Sequence, residues 1–123
     1  MILLLLSAAA AQLLVPVPLT RDPTTDVCAT AVRVVRLKPG GDGFLSVRSA
    51  PSATAPEVDR LRAYEVVTVC AERRGWLGVV FAPRAKPSTD CGVSTPNLRQ
   101  NASYAGPCRS GWISSRYVEI VAG

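Results

Sequence analysis

Gly111-Trp112-Ile113-Ser114-Ser115-Arg116-Tyr117-Val118, near the end of a 123-residue sequence, reads as a strand, a tight turn and the start of a second strand. Leu45-Ser46-Val47-Arg48-Ser49-Ala50-Pro51 gives a companion signal near the front, alternating apolar and polar residues and stopping at a proline. Around these two stretches every apolar run is short, rich in Val, Ile or aromatic residues, and bounded by Gly, Pro, Ser or Asp, the pattern of an all-β domain. Strands are expected at Ala31 to Leu37, Phe44 to Arg48, Val58 to Leu61, Glu65 to Ala71, Trp76 to Phe81, Gly111 to Ser114, and Val118 to Val121. Pro39-Gly40-Gly41-Asp42-Gly43 and Arg74-Gly75 supply the turn residues between them. Small antiparallel sheets lose their open edges by closing on themselves, so the expected architecture is a small barrel of about five to six short antiparallel strands. Val66, Val67, Val69, Leu77, Val79 and Val80 are expected to fill its core. A small sandwich is the alternative.

No charged residue occurs from Met1 to Leu19, and Leu3 to Leu6 run into Ser7 and four alanines. This is the layout of a secretory signal, with Ala9 and Ala11 as an A-x-A cleavage pattern. The expected organisation is a signal peptide over 1–11, an extended linker over 12–27, and one domain over 28–123 with an insertion at about 82–110. Pro16 and Pro18 cut any continuous apolar helix below the roughly 20 residues that a membrane span needs. No stable membrane insertion is therefore expected after cleavage.

The four cysteines, Cys28, Cys70, Cys91 and Cys108, lie outside the leader and show no C-x-x-C spacing, and the chain has no histidine. Zinc and thiol chemistry are poorly served by that set, whereas two disulfides suit it. Disulfides persist in periplasmic or extracellular space, which agrees with the leader. Three pairings are open. The preferred one joins Cys91 to Cys108, closing a loop of about 17 residues worth roughly 3 kcal/mol of unfolded-state restriction, and leaves Cys28 for Cys70.

Fourteen Lys and Arg against nine Asp and Glu give a net charge of +5, which favours an acidic partner. The arginines are scattered and form no run of like charges, so they also read as solubilising residues. A nucleic-acid role is disfavoured by export and by the absence of a concentrated basic stripe. Catalysis has little support: Glu57 and Asp59 read as a solvent face paired with Arg60 and Arg62, and Lys86 with Ser88 is a lone spacing in a Pro-rich loop. No catalytic residue, metal site or cofactor is expected.

Leu45 to Pro51 resembles the opening of bacterial SH3 domains, in which Leu-Asn-Val-Arg-Ser/Ala-Gly-Pro leads into the first long loop; Ser46 and Ala50 depart from that pattern. Val58, Leu61, Val66, Val67 and Val69 are similar to the family's next strands, and Gly75-Trp76 resembles the start of its central strand. Gly111 to Val118 resembles its closing pattern. The resemblance runs from about Ala31 to Ile120 and implies an SH3-like barrel. Two departures stand out. About 30 residues lie between Phe81 and Gly111, where the family has a short hairpin, and their cysteines argue for an ordered, presented loop. Ser114 stands where eukaryotic SH3 domains carry a groove proline, so recognition of polyproline helices is not implied.

The resemblance further implies a groove with Trp76 and Tyr117 on its floor, joined by Tyr64, and approached by Tyr104, Arg109 and Arg116 from the inserted loop and the final turn. There arginine would hold a carboxylate while an aromatic face takes an apolar or sugar surface. Trp112 is expected in the core. The implied function is an exported, monomeric, non-catalytic module of the bacterial cell envelope that binds peptidoglycan or its peptide stems. The alternative is an envelope stress or interaction protein that docks one protein partner through the stapled loop.

Overall fold

The computed structural model describes residues 14–19, 28–93 and 102–123. The expected signal peptide, residues 12–13 and 20–27 of the expected linker, and residues 94–101 of the insertion lie outside the described residues. Seven strands follow one another: β1 (Thr30–Val34), β2 (Phe44–Arg48), β3 (Glu57–Arg62), β4 (Val66–Arg73), β5 (Trp76–Phe81), β6 (Arg109–Ser114) and β7 (Val118–Ala122), with a 3-10 turn at Ser115–Tyr117 before the last. They form one antiparallel sheet in the order β3-β2-β6-β5-β4-β1-β7.

The sheet is open, which corrects the expected closed barrel of five to six strands. β1 pairs with both β4 and β7, leaving β3 and β7 as edges that do not pair with each other. Closure is replaced by curling. In a flat sheet with strands about 4.8 Å apart, β3 and β7 would stand roughly 29 Å from each other. Yet Leu61 of β3 and Val118 of β7 share one buried cluster with Val32, Val34, Leu45, Val47, Val67, Val79 and Ile113. The inner face therefore covers itself. Register shifts at Ala31/Val32, Val47/Arg48 and Val69/Ala71 supply the local bends that such curling needs.

β2 and β6 meet at a single registered pair, Arg48 with Trp112, and approach closely beside it. Gly111 permits it: a Cβ there would overlap Val47 Cγ1 and come within 3.0 Å of the Arg48 carbonyl. Any side chain at this position would force the two strands apart.

A second buried cluster occupies the opposite face of β4, β5 and β6: Val17, Leu19, Cys70, Ala71, Val80, Val93 and Trp112. Its lid is made of coil. Residues 14–19 lie extended across the sheet, with the Val15 amide donating to the Ser49 carbonyl (2.7 Å) and the Trp112 indole N–H donating to the Val15 carbonyl (2.8 Å). Reciprocal bonds from Leu19 N to Ala102 O (2.7 Å) and from Tyr104 N to Val17 O (2.8 Å) join this arm to the end of the insertion. The folded unit thus includes part of the stretch expected to be a linker before Cys28, because Val17 and Leu19 have an apolar face to cover.

Both disulfides have the preferred pairing, Cys28 with Cys70 and Cys91 with Cys108, spanning 42 and 17 residues. Each sits against the outer cluster and ties part of its lid to the sheet or to itself. Two disulfides indicate an oxidising, extracytoplasmic location.

Val17→Ala should cost about 1–3 kcal/mol in urea unfolding of the oxidised protein, the scale for truncating a buried aliphatic side chain. Leu14, which is 65% exposed, is the control, and Leu14→Ala should change stability by less than about 0.5 kcal/mol. Equal, negligible losses would mean that the arm is no part of the core.

Candidate binding groove

Period-2 alternation turns Leu45 and Val47 of β2 into the core and leaves Phe44, Ser46 and Arg48 on the outward face. β6 and β5 continue this outward surface with Ser114 and Trp76, which are registered partners. A cleft of about 470 Å³ lies here, lined by Phe44, Ser46, Arg48, Trp76, Ser114 and Tyr117 among others. The loop between β1 and β2 contributes Lys38 and Asp42 to its wall, and Ala53 of the β2–β3 loop lies opposite.

The walls are held by backbone and arginine bonds. Val35 N donates to Tyr117 O (2.8 Å), while Arg36 donates from Nε to Arg116 O (3.1 Å) and from Nη2 to Val118 O (2.5 Å), tying the β1–β2 loop to the 3-10 turn that carries Tyr117. Within that loop Gly41 N donates to Lys38 O (3.0 Å), and Gly40 and Gly43 take positive φ. Arg48 Nη1 donates to Ala55 O (3.0 Å), and Ser49 N to Pro56 O (2.9 Å), closing the β2–β3 loop. Beside the cleft, Ser46 Oγ donates to Glu57 Oε2 (2.5 Å), and Arg60 Nε meets Glu57 Oε1 at 2.7 Å. The Ser46 hydroxyl first, and Arg60 second, hold the Glu57 carboxyl below the usual glutamate range.

Of the residues expected at the site, the fold brings Trp76 and Tyr117 together in the cleft. The other four lie elsewhere. Tyr64 occupies the turn between β3 and β4 at positive φ, 73% exposed and not among the residues lining the cleft. Tyr104 is a brace: its hydroxyl donates to Cys91 O (2.9 Å) and accepts from Cys108 N (3.1 Å), across the mouth of the disulfide loop. Arg109 pairs with Asp59 at 3.2 Å and donates to Val58 O, on the β3 side of β6. Arg116 is exposed on the 3-10 turn and does not line the cleft. Trp112 is fully buried, as expected.

Lys38, Asp42, Phe44, Ser46 and Arg48 are groove residues that sequence reasoning missed. The outward parity of β2 pointed to the last three. The glycine-rich loop carries only a turn signal in the sequence. Among the described residues no three carboxylate or thiol groups gather where they could hold a metal ion. The groove offers aromatic faces, a flexible ammonium, a guanidinium fixed by the loop it supports, and one carboxylate. Such a surface can grip an extended, polar ligand without covalent chemistry.

No family model, curated protein or solved structure matches the chain. Two outcomes separate framework from groove. Tyr104→Phe removes two hydrogen bonds of about 1 kcal/mol each and should lower stability in urea by roughly that sum. Ligand affinity should stay unchanged. Glu57 has a folded-state pKa lowered from its ordinary value, so its contribution is complete above the ordinary glutamate range and is lost as pH falls through the lower folded value. The stability difference between wild type and Glu57→Gln should accordingly shrink on acidification below about pH 4.5 and be absent once both states are protonated. A pH-independent difference would assign the effect to packing.

Proposed function

We propose that this chain is an exported, non-catalytic binding module with SH3-like architecture. It acts at the bacterial cell envelope, in the periplasm or outside the cell, and its groove takes peptidoglycan through the peptide stems. One observation carries this reading: Trp76 and Tyr117, far apart in sequence, line one cleft with Lys38 and Arg48. Aromatic faces suit sugar rings and alkyl side chains, and the cations suit the carboxylates that stem peptides carry. The cleft has the volume of a small-ligand site. Two disulfides support a location outside the reducing cytosol. Both flanks of the insertion are occupied in covering Trp112, which favours the groove over the stapled loop as the contact surface.

The test is co-sedimentation of the oxidised protein with purified peptidoglycan at low and moderate salt. Retention is expected at both, with Trp76→Ala weakening it by about tenfold, the usual scale for an aromatic anchor. Absence of retention would overturn wall binding and direct attention to a protein partner at the Cys91–Cys108 loop.

A further inference from the structure

On the other side of Phe44 from the groove lies a second cleft of about 480 Å³, lined by Asp42, Gly43, Phe44, Arg60, Arg62, Ala63 and Arg84. The two clefts share Asp42, Gly43 and Phe44, so the Phe44 ring forms a ridge between them. Three arginines from two separate parts of the chain converge here. Arg60 and Arg62 leave the same side of edge strand β3, opposite Ser46 and Phe44 of β2. Arg84 arrives from the segment after β5, 22 positions beyond Arg62.

Charges on an edge strand often serve only to keep other strands away. That accounts for Arg60 and Arg62 but not for the fixed posture of the group. The Arg60 guanidinium carbon sits 4.0 Å from the centroid of the Phe44 ring, and its Nε is held by Glu57 at 2.7 Å. Its Nη donors have no partner among the described residues. Arg84 Nη2 is fixed twice, on Glu65 Oε1 (2.8 Å) and on the Arg60 carbonyl (3.0 Å). Glu65 Oε1 also accepts the Arg62 amide (2.7 Å), so one carboxylate organises the backbone of Arg62 and the side chain of Arg84 together. The Arg62 guanidinium has no ion-pair partner among the described residues. Two acids that do not line the cleft, Glu57 and Glu65, thus hold two of its arginines, and the cleft itself is lined by three arginines against one acid, Asp42. Pre-set guanidinium forks match a carboxylate without the ordering cost that a free side chain would bear.

We propose that this cleft is a carboxylate-binding subsite, in which Arg60, Arg62 and Arg84 receive an acidic group of a peptide whose body crosses Phe44 into the Trp76–Tyr117 groove. It rests on the peptide reading of that groove and adds what the ligand must carry: a carboxylate beyond the part lying on the aromatic floor, on the far side of the shared residue Phe44. The cleft selects acidic over amidated peptides.

The experiment is an NMR titration of the ¹⁵N-labelled, oxidised full chain with two short peptides, acetyl-Ala-Glu-Ala with a free C-terminus and acetyl-Ala-Gln-Ala amide. Expected are movement of the Trp76 indole signal with both peptides, movement of the Arg60 and Arg84 Nε–H signals with the acidic one alone, and about tenfold tighter binding of the acidic peptide, the scale of a charge-assisted pair of bonds. The double variant Arg62→Gln, Arg84→Gln should lose most of that preference while its Trp76 signal still moves, Arg60 and the groove cations Lys38 and Arg48 being left in place. Equal affinities in wild type, or a preference undiminished in the double variant, would overturn the subsite. Arginine signals that move while Trp76 stays still would uphold the subsite and remove the groove reading. Stillness at all of these signals would remove both.

Discussion

Trp112 and Ile113 are neighbours on β6, both fully buried, and point to opposite sides of one sheet. A strand that is apolar on both faces needs a layer on each. The fold meets the two demands by different means. Below, the sheet curls until its own strands enclose Ile113. Above Trp112 no helix or second sheet is present among the described residues, and the cover is an extended arm, two cystines and the flanks of a long insertion.

That upper layer explains why so small a domain carries two cross-links. Ordering coil costs backbone entropy residue by residue, and coil supplies fewer hydrogen-bond partners of its own than a helix to offset that cost. Here the arm finds its partners on Ser49, Trp112, Ala102 and Tyr104, and the insertion is tied by Cys91–Cys108 and by the Tyr104 hydroxyl. A chain of this size buries a smaller fraction of its surface than a large domain, which leaves less packing to order such segments. The disulfides act where hydrophobic area is scarce.

The proposed groove lies at the margin of this lid on the outer surface. The lid covers β4, β5 and the middle of β6 and reaches Trp76, which packs against its margin and still lines the cleft with Ser114 and the outward residues of β2. The same geometry separates residues of similar chemistry into different tasks. Tyr104 braces a loop while Tyr117 lines a cleft; Arg36 and Arg109 secure backbone while Arg62 has no ion-pair partner among the described residues.

The resemblance to bacterial SH3 domains implied the meeting of Trp76 with Tyr117; the residues by themselves determined the all-β class and the seven strand positions to within a few residues, and favoured one of three open cysteine pairings. These rest on short-range rules: alternation sets which residues face inward, Gly and Pro mark reversals, and cysteine spacing limits the loops. Only the tertiary structure decided that the sheet stays open, since edge pairing depends on where β1 inserts between β4 and β7. It alone placed Val17 and Leu19 in the core, because an extended Pro-rich stretch carries no local sign of the face it will cover. It also assigned Tyr64, Tyr104, Arg109 and Arg116 to places outside the groove and brought Arg84 beside Arg60. A side chain's partners across the fold are set by long-range packing, and residue type alone is compatible with either a brace or a ligand contact.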